Sequence, residues 1–564
     1  MTKLFYTAPD ALSLWFMAII VIVFTAGAFY GADYLKAYRS HKRELRLHVL
    51  NYTAVFASML ALPMISNAVA FLVAWEIMAL GSFFLIIFES WKPETIKAGI
   101  NFFIQSHISV VLLTIGFLMM YDKTGSFDFA AIKAYSTANP GTCGWPFALI
   151  CAGFAVKAGF VPFHTWLPVA HPAAPAHISG VMSGVIIKIG IYGIFRAITL
   201  FEINFATAGK IILAVAAVSG LYGVMMAIVQ HNLKKLLAYH SIENIGIIGI
   251  GIGLGCMAKG MGLPTVASLA FAGALLHTLN HALFKSSLFF TAGNVYQAAH
   301  TLNVEQLGGL FRRLPLTGLY FLIAAVAICG LPPMNGFVSE LLIYLGLFDS
   351  LGQLPALSQL GITASIVALV LIGGLAILCF TKAFGIVFLG ESRSELPEMK
   401  EFGALRSVPL AVLAALMLSV GLCPGFYVGL INNILPELGC RSVALSGTVS
   451  TIGIASACLI AVVLLLALVR RLATRRKPVS EGETWGCGYT VPSSKLQYTA
   501  TSFVKTYSQT FKGILKSGFI DKAAASYIRF TERFAFLQNG RLQSYILYGI
   551  VFIVVTILLT MALC

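Results

Sequence analysis

Charged residues are scarce in this chain. They make up 11% of its 564 residues, whereas 58% of the residues are hydrophobic. A soluble domain carries about 25% charged residues, and the mean hydropathy of this chain is +0.87. This composition excludes a soluble globular enzyme, a disordered protein and a collagen-like fibre. It favours a polytopic membrane protein.

Clustered cysteines are also missing. The ten cysteines are scattered, no two of them form a Cys-x2-Cys pair, and most lie in apolar runs. An iron–sulfur cluster or a structural zinc site needs grouped thiolates. We therefore expect no such centre in this chain and interpret the cysteines as small buried hydrophobic residues. They are Cys143, Cys151, Cys256, Cys329, Cys379, Cys423, Cys440, Cys458, Cys487 and Cys564.

Motifs of soluble enzymes are absent as well. The sequence has no Ser-His-Asp order or metalloprotease motif, and no Gly-Lys-Ser/Thr follows the glycine-rich stretch 246–255. We interpret that stretch as close helix packing rather than a nucleotide-binding loop. The formal net charge is +16, but the basic residues fall in short loops, which the positive-inside rule explains better than nucleic-acid binding. We expect no cleavable signal peptide, because the run 11–30 is long enough to be a retained span.

Long hydrophobic runs predict an all-α polytopic membrane protein with about fourteen transmembrane helices, since each crossing takes about 20 apolar residues. The predicted spans are 11–30, 48–66, 67–89, 98–120, 147–177, 178–199, 209–230, 236–257, 266–292, 316–349, 361–389, 405–430, 449–470 and 542–563.

Prolines interrupt two of these spans. Pro162 breaks the fifth span, and Pro332 with Pro333 breaks the tenth. Proline removes a backbone donor, and free backbone groups survive at membrane depth only when they pack in protein or line a watery cavity. Broken helices at corresponding places in two halves are typical of inverted-repeat transporters. We therefore predict two inverted five-helix repeats, over 48–199 and 209–389.

The remaining segments complete the predicted organisation. Residues 1–47 hold the first span and a basic loop, and 390–470 hold additional spans. The polar stretch 478–541 is interpreted as a lateral, interfacial amphipathic segment on the basic side, with an ordinary cytoplasmic loop as the alternative. Residues 542–564 would then be a C-terminal anchor span. The basic loops all follow odd-numbered spans, so the positive-inside rule predicts both termini outside. Those loops contain Lys36, Arg39, Lys42, Arg43, Arg46, Lys234, Lys235, Arg312, Arg313, Arg470, Arg471, Arg475, Arg476 and Lys477.

Ionisable residues lie inside several predicted spans. At about 2.5–3.5 kcal/mol each, seven of them would cost about 20 kcal/mol if all faced lipid. We therefore expect them to face the bundle interior, pair with one another or contact water. A structural ion pair is the alternative for each residue taken singly, and a charge-transfer path is favoured for the whole set. The seven are Glu76, Lys157, Lys188, Glu243, Lys285, Glu340 and Lys382.

Histidines join this pattern. His277, His281 and Lys285 are spaced i, i+4 and i+8, so they share one helix face. His240 and Glu243 are spaced i, i+3 on the eighth span. Imidazole can carry a proton at physiological pH. For His277 and His281 a proton relay, a structural histidine and a metal ligand are all open, and we predict no metal because no further carboxylate or thiolate shares their face. Further histidines within or beside apolar runs are His107, His164, His171 and His177.

Several motifs carry a resemblance. FAVKAGFVPFHTWLP at 154–168, SGVIIKIGIYG at 183–193, NLKKLLAYHSI at 232–242 and GLPPMNGFVSE at 330–340, with Trp75-Glu76 and Met78, are similar to the antiporter-like subunits of respiratory complex I and of Mrp-type cation/proton antiporters. The resemblance covers about residues 10–430. HSIENIG at 240–246, NHALFKS at 280–286, TWGCGY at 484–489 and QYT at 497–499 most resemble the hydrogenase-4 component B and formate hydrogenlyase branch.

The resemblance implies a membrane-arm subunit of an energy-converting [NiFe] hydrogenase. Its nickel–iron and iron–sulfur centres would reside on partner subunits of a peripheral arm, together with other membrane subunits in a prokaryotic cytoplasmic membrane. Relatives usually have two further spans before the equivalent of the first one here, which bears on contacts with neighbouring subunits and not on the core charges.

The resemblance also implies roles for the buried charges. Glu76 and Lys157 would form the charge pair of the first half, and Lys188 would pass protons towards the centre. Glu243, His277, His281 and Lys285 would continue the polar axis, Glu340 would be its terminal residue, and Lys382 would be an additional site. The chain would then carry no redox centre of its own while belonging to an oxidoreductase complex. A stand-alone Mrp-type Na+/H+ antiporter subunit and a scaffold that no longer pumps are the alternatives.

Overall fold

The structure is a computed structural model. It describes residues 5–6, 9–443, 446–476 and 496–510, together with the scattered residues 526, 529, 547, 549–552, 554 and 555. Most of the predicted anchor 542–564 and most of the predicted lateral segment 478–541 lie outside the described residues, and the motif 484–489 lies wholly outside them. Those predictions therefore stay predictions.

Within the described ranges the chain folds into twenty α-helices and forms no strand beyond isolated bridges. In chain order they are α1 (Ala11–Tyr34), α2 (Lys42–Ala61), α3 (Ala68–Ile86), α4 (Pro93–Thr124), α5 (Phe129–Ala138), α6 (Gly144–Ala158), α7 (Leu167–Ala173), α8 (Ala176–Val181), α9 (Ile187–Leu200), α10 (Phe205–Ile228), α11 (Leu233–Gly260), α12 (Pro264–Ala299), α13 (Leu310–Arg313), α14 (Pro315–Ile328), α15 (Asn335–Ser350), α16 (Ala356–Phe388), α17 (Ala404–Leu422), α18 (Pro424–Asn432), α19 (Ser446–Thr474) and α20 (Ala500–Thr510). A π-helical turn, Met182–Ile186, joins α8 to α9.

Eleven helical segments of the described chain are long and apolar enough to cross a membrane. The all-α polytopic fold is thereby confirmed. The shorter apolar helices α6 and α14 are each the first part of a broken helix. The expected total of fourteen spans also depends on the last predicted span, which lies mostly outside the described residues.

Both predicted helix breaks are present. Helix α6 ends at Ala158 and α7 begins at Leu167, while α14 ends at Ile328 and α15 begins at Asn335. The free backbone at the first break is partly satisfied, because the amide of Val161 donates to the hydroxyl of Ser219 at 3.0 Å. The first break is therefore packed into protein, as non-helical backbone at membrane depth requires, whereas Leu331 and Pro332 at the second break are exposed.

Three helical segments form the centre of the bundle. In the continuous segment 176–200, in α11 and in α12, every residue of the most apolar stretch is buried by neighbouring helices. Helix α19, in contrast, buries 11% of its apolar stretch and lies at the periphery. The centre of the fold is thus built from helices that carry Lys188, Glu243 and Lys285.

Glycines allow the most extensive helix pair, α10 with α11, to pack at backbone contact. A Cβ added at Gly246 would lie 2.4 Å from the amide nitrogen of Gly220, and one at Gly253 would lie 2.5 Å from that of Leu213. Only glycine fits at such distances. The interpretation of stretch 246–255 as close helix packing is confirmed.

Two arginines fasten the two ends of α1. At its start, Arg196 of α9 donates to both carboxylate oxygens of Asp10, at 2.6 and 2.8 Å. At its end, Arg406 of α17 donates to Asp33 at 2.7 Å. Both guanidinium groups are buried. Helix α1 is therefore held against the first half of the chain at one end and against a later helix at the other.

Candidate functional site

The nine predicted proton-pathway side chains are all buried, with at most 9% of each residue exposed. They lie on α3, α6, α9, α11, α12, α15 and α16. In order they are Glu76, Lys157, Lys188, Glu243, His277, His281, Lys285, Glu340 and Lys382.

Glu76 and Lys157 do not form the direct ion pair that the resemblance implies. The nearest basic group to Glu76 in the described structure is His107 of α4, whose Nε2 lies 3.1 Å from the carboxylate. The Nζ of Lys157 instead donates to Ser106 at 3.4 Å and lies 4.5 Å from the ring centre of Phe102. The charge of Glu76 still acts on Lys157, so the two residues are coupled by their fields across α4 rather than by contact.

Lys188 lies directly after the π-helical turn. Its Nζ donates to the carbonyl of Ser183, the second residue of that turn. The hydroxyl of Ser183 in turn lies 2.8 Å from the hydroxyl of Ser241 on α11. Single π-turns occur often at functional sites. Here the turn brings the lysine helix into polar contact with the next charged helix.

Helix α11 carries three polar side chains on one face. His240 and Glu243 are in direct contact through Nδ1 and Oε2. One residue further along, the side-chain oxygen of Asn244 accepts a 3.1 Å hydrogen bond from Nε2 of His277. The spacing of His240 and Glu243 therefore produces the contact that an i, i+3 pair permits.

His277 connects α12 with the second broken helix. Its Nδ1 lies 2.9 Å from the hydroxyl of Ser339, the residue before Glu340. Asn280 donates to the same hydroxyl at 2.8 Å and to the carbonyl of Asn335 at 2.7 Å. The polar contacts thus run from α11 through α12 to the start of α15.

Lys285 and His281 lie further along the same face of α12. The Nζ of Lys285 donates to the carbonyl of Leu237 on α11. Both ring nitrogens of His281 are buried without a hydrogen-bond partner among the described residues. The charges of Lys188 and Lys285 both act on this ring. His281 is therefore within electrostatic reach of both lysines.

Lys382 has a different position from the rest. Its Nζ donates to the carbonyl oxygens of Ile228 and Gln230, at the end of α10. A lysine that binds the last carbonyls of a helix caps that helix. The structure therefore gives Lys382 a capping contact that its sequence position did not predict.

No group of three or more metal-ligating side chains is arranged around a common point in the described part of the chain. The two nitrogens of His277 already face Asn244 and Ser339. These partners fix the ring through hydrogen bonds, which suits a relay or a structural role.

Sequence reasoning missed several buried polar residues. Lys234 was assigned to a basic loop, which is wrong, because it is buried and donates to the carbonyl of Ala174 at 2.8 Å. Its motif neighbour Lys235 is exposed. Arg196 lay within a predicted span and was overlooked, although an arginine there signals a buried partner. His48 was also missed, since it follows a basic loop in a helix with modest hydropathy.

The arrangement can move protons between buried groups. On α9, α11, α12 and α15, hydroxyl and amide side chains form hydrogen bonds between the helices that carry the buried carboxylates, imidazoles and amines. Each of these ionisable types can bind and release a proton, while the surrounding helices exclude bulk water. An arrangement of this kind in a membrane protein marks an ion or proton path.

Comparisons with known proteins agree with this geometry. The family described as "NADH:quinone oxidoreductase/Mrp antiporter, TM" matches residues 66–367. Hydrogenase-4 component B of Escherichia coli is 36% identical over 505 residues, which cover 85% of this chain and 73% of that protein. Formate hydrogenlyase subunit 3 of Escherichia coli is 30% identical over an alignment that covers 84% of this chain and 76% of that protein.

A solved structure shares the fold. A chain of the membrane-bound sulfane sulfur reductase, an archaeal respiratory membrane complex, aligns with a TM-score of 0.78 at 22% identity, covering 97% of this chain and 88% of that one. The resemblance found in the motifs is thereby confirmed. This chain belongs to the NADH:quinone oxidoreductase/Mrp antiporter family of membrane subunits.

Proposed function

We propose that this chain translocates protons as a membrane subunit of a multisubunit redox complex, an energy-converting [NiFe] hydrogenase. Electron transfer on partner subunits would drive ion movement through the buried Lys/Glu/His row. The observation that carries the proposal is the continuity of that row across α9, α11, α12 and α15, through Ser183–Ser241 and Asn244–His277–Ser339.

Unpartnered ring nitrogens support a hydrated path. Both nitrogens of His171 and of His281, and Nε2 of His240, are buried without a partner among the described residues. Buried polar groups are normally satisfied by protein or ordered water. Water beside these rings would bridge the steps that direct contacts leave open.

The hydrogenase assignment is supported by relatedness along most of the chain. The alignment with hydrogenase-4 component B covers 85% of this chain. In this proposal, the nickel–iron and iron–sulfur centres belong to partner subunits of a peripheral arm. A stand-alone Mrp-type Na+/H+ antiporter subunit is the second candidate, because the matching family includes the Mrp antiporters.

We place the chain in a prokaryotic cytoplasmic membrane with its basic loops on the cytoplasmic side and both termini outside. The position of α20 supports one common basic face. It contacts the loop after α12 through Glu305 and lies near the loop after α16, where Glu391 contacts Gln497. Both loops follow odd-numbered predicted spans. The two halves, 48–199 and 209–389, would be inverted repeats.

Lys157→Ala tests proton translocation. In proteoliposomes that contain the purified complex, the variant should lose turnover-driven proton uptake, because a neutral methyl group cannot carry the proton. Lys133→Ala is the matched control, since Lys133 is exposed on α5. Undiminished proton transport in Lys157→Ala would contradict the proposal.

Purification in mild detergent distinguishes the two candidate complexes. Mass spectrometry and metal analysis of the tagged chain should find nickel, iron and a soluble hydrogenase arm. A metal-free assembly of small membrane subunits would instead favour the antiporter, and Na+-dependent proton flux would then be measured.

A further inference from the structure

Two buried histidines face each other on α2 and α8. The Nε2 atoms of His48 and His177 lie 2.8 Å apart, and 4% and 1% of the two residues are exposed. At that distance one ring must donate and the other accept. Each Nδ1 remains without a partner in the described structure, so the pair has an open nitrogen on both of its sides.

His48 lies close to the face that carries a basic loop. It is the first buried residue of α2, which starts at Lys42 with exposed residues. Its ring is 5.0 Å from that of Phe88. The next residue, Glu89, accepts from the hydroxyl of Tyr38 at 2.7 Å and from Lys92 at 2.6 Å. Glu89 thus binds Lys92, which reaches the surface, at the position next to the phenylalanine whose ring His48 contacts.

His177 lies at the start of the continuous segment 176–200, directly after the second part of the first broken helix, α7. His171 lies six residues earlier, is fully buried, and has two unpartnered ring nitrogens. The charges of Lys285, Lys188 and Lys234 all act on His171. The ring of His171 is therefore within electrostatic reach of Lys188 and Lys285.

The titratable and charged groups around His48 and His177 favour passing a proton on over holding it on these rings. The charged ones are both cations, which repel an added proton. The titratable and charged groups concerned are Tyr34 of α1, Tyr52 of α2, Lys234 of α11 and Arg406 of α17.

We propose that His48 and His177 form the proton-uptake relay of this chain, which takes protons from the basic-loop face and delivers them through His171 to Lys188 and Lys285. This inference rests on the proposed function, since it adds the uptake side to the same proton path.

The transfer balances within the two rings. Neutral His48 binds a proton at Nδ1 and passes its Nε2 proton to Nε2 of neutral His177. The His177 imidazolium then releases its Nδ1 proton inward. Both rings are neutral again in the opposite tautomers, and they reset when the rings turn.

Glutamine variants distinguish a proton-relay role of the two histidines from a purely structural role in holding α2 against α8. The amide of glutamine can keep a hydrogen bond across α2 and α8, but it carries no proton. We expect His48→Gln and His177→Gln each to lower proton uptake into proteoliposomes of the complete complex at least tenfold. The double variant should lose no more than either single variant, because the two rings serve one step. His300→Asn is the control, since His300 is exposed at the end of α12 and has a φ of 54°, which asparagine tolerates.

Chemical rescue makes the test specific. Imidazole added on the basic-loop side should restore uptake in both glutamine variants, and a merely structural role would not respond to it. Wild-type uptake in the glutamine variants would overturn the relay. Lost uptake without rescue, accompanied by a lower melting temperature, would also overturn it and assign the pair to helix packing. Lys188→Ala in the same liposomes distinguishes the two proposals, because uptake that survives this change contradicts the proposed function itself.

Discussion

The hydroxyls of Ser183 and Ser241 lie 2.8 Å apart and join the helix of Lys188 to the helix of Glu243. The Ser183 hydroxyl belongs to the π-helical turn, and its backbone carbonyl accepts from Lys188. The Ser241 hydroxyl also reaches the carbonyl of Leu237 at 3.2 Å. This pair is therefore a direct hydrogen bond between the π-helical turn before Lys188 and the helix of Glu243.

Ser183→Ala and Ser241→Ala test that link. Each change removes one hydroxyl, and a typical hydrogen bond is worth about 1 kcal/mol. We expect proton flux in proteoliposomes to fall about fivefold to tenfold in each single variant, and the double variant to fall no further. Ser407→Ala, at a partly exposed position on α17, should leave the flux unchanged. If the fold-decrease in proton flux of the double variant equalled the product of the two single decreases, the two hydroxyls would act separately.

Gly223→Ala tests the close packing of α10 on α11. The added Cβ would lie 2.4 Å from the backbone nitrogen of Glu243, so the helices must separate. We expect a loss of about 1–3 kcal/mol in the free energy of unfolding, as for other overpacked sites. Thermal unfolding in detergent measures it. Gly374→Ala on α16 is the matched control, because nothing lies within 4 Å of the added Cβ, and no decrease in melting temperature should follow.

The Asp10–Arg196 pair predicts a pH-dependent stability. Burial opposes ionisation of Asp10, but the hydrogen bond and charge of Arg196 outweigh it and hold the pKa of Asp10 below its usual value. The stabilisation is therefore complete above the unfolded pKa of about 3.9 and is lost as the pH falls through the lower folded pKa. Asp10→Asn should cost about 2 kcal/mol at pH 7.

Melting temperatures of the detergent-solubilised protein measured from pH 7 to about pH 3 check this prediction. The difference between Asp10→Asn and the parent protein should shrink at the acid end, and Asp122→Asn, at an exposed position, should show no difference at any pH. A constant difference would show that the charge of Asp10 is not the cause, because asparagine can still accept the capping hydrogen bond from Ser13.

Glu305 anchors the start of α20. Its carboxylate accepts from the amide of Thr501 at 2.7 Å and from the hydroxyl of the same residue at 2.5 Å, and a carboxylate at a helix N-terminus is stabilising. Glu305→Ala should loosen this helix and increase trypsin cleavage within 496–510 severalfold. Glu391→Ala is a matched control, because Glu391 contacts Gln497 through its backbone groups. Equal cleavage in both variants would contradict the anchoring role.

The sequence predicted the fold well where the signal was local. Pro162, Pro332 and Pro333 remove backbone donors wherever they stand, so both breaks were visible as interruptions in apolar runs. The glycines of stretch 246–255 likewise predicted close packing. Spans could be placed because hydropathy depends on neighbouring residues alone.

The contacts between side chains of the site could be predicted less well. They depend on the orientation of each helix about its own axis in the packed bundle. Sequence spacing brings His240 to Glu243 on one helix, and that contact is present. It does not reveal that His107 of α4 lies beside Glu76. Nor does it reveal that Lys382 reaches the end of α10. Lys234 and Lys235 are adjacent and identical in type, yet helix packing buries only the first.

Three of the buried lysines make the same kind of hydrogen bond, with a consequence for how they would work. The Nζ atoms of Lys188, Lys285 and Lys382 each donate to a backbone carbonyl. An ammonium has three hydrogens and a neutral amine has two, so one hydrogen can stay on the carbonyl in either state. These lysines can therefore change charge without moving. Each lysine would bind and release a proton from a fixed side-chain position. A change in its charge would alter the electrostatic energy of the neighbouring ionisable groups without any movement of the chain.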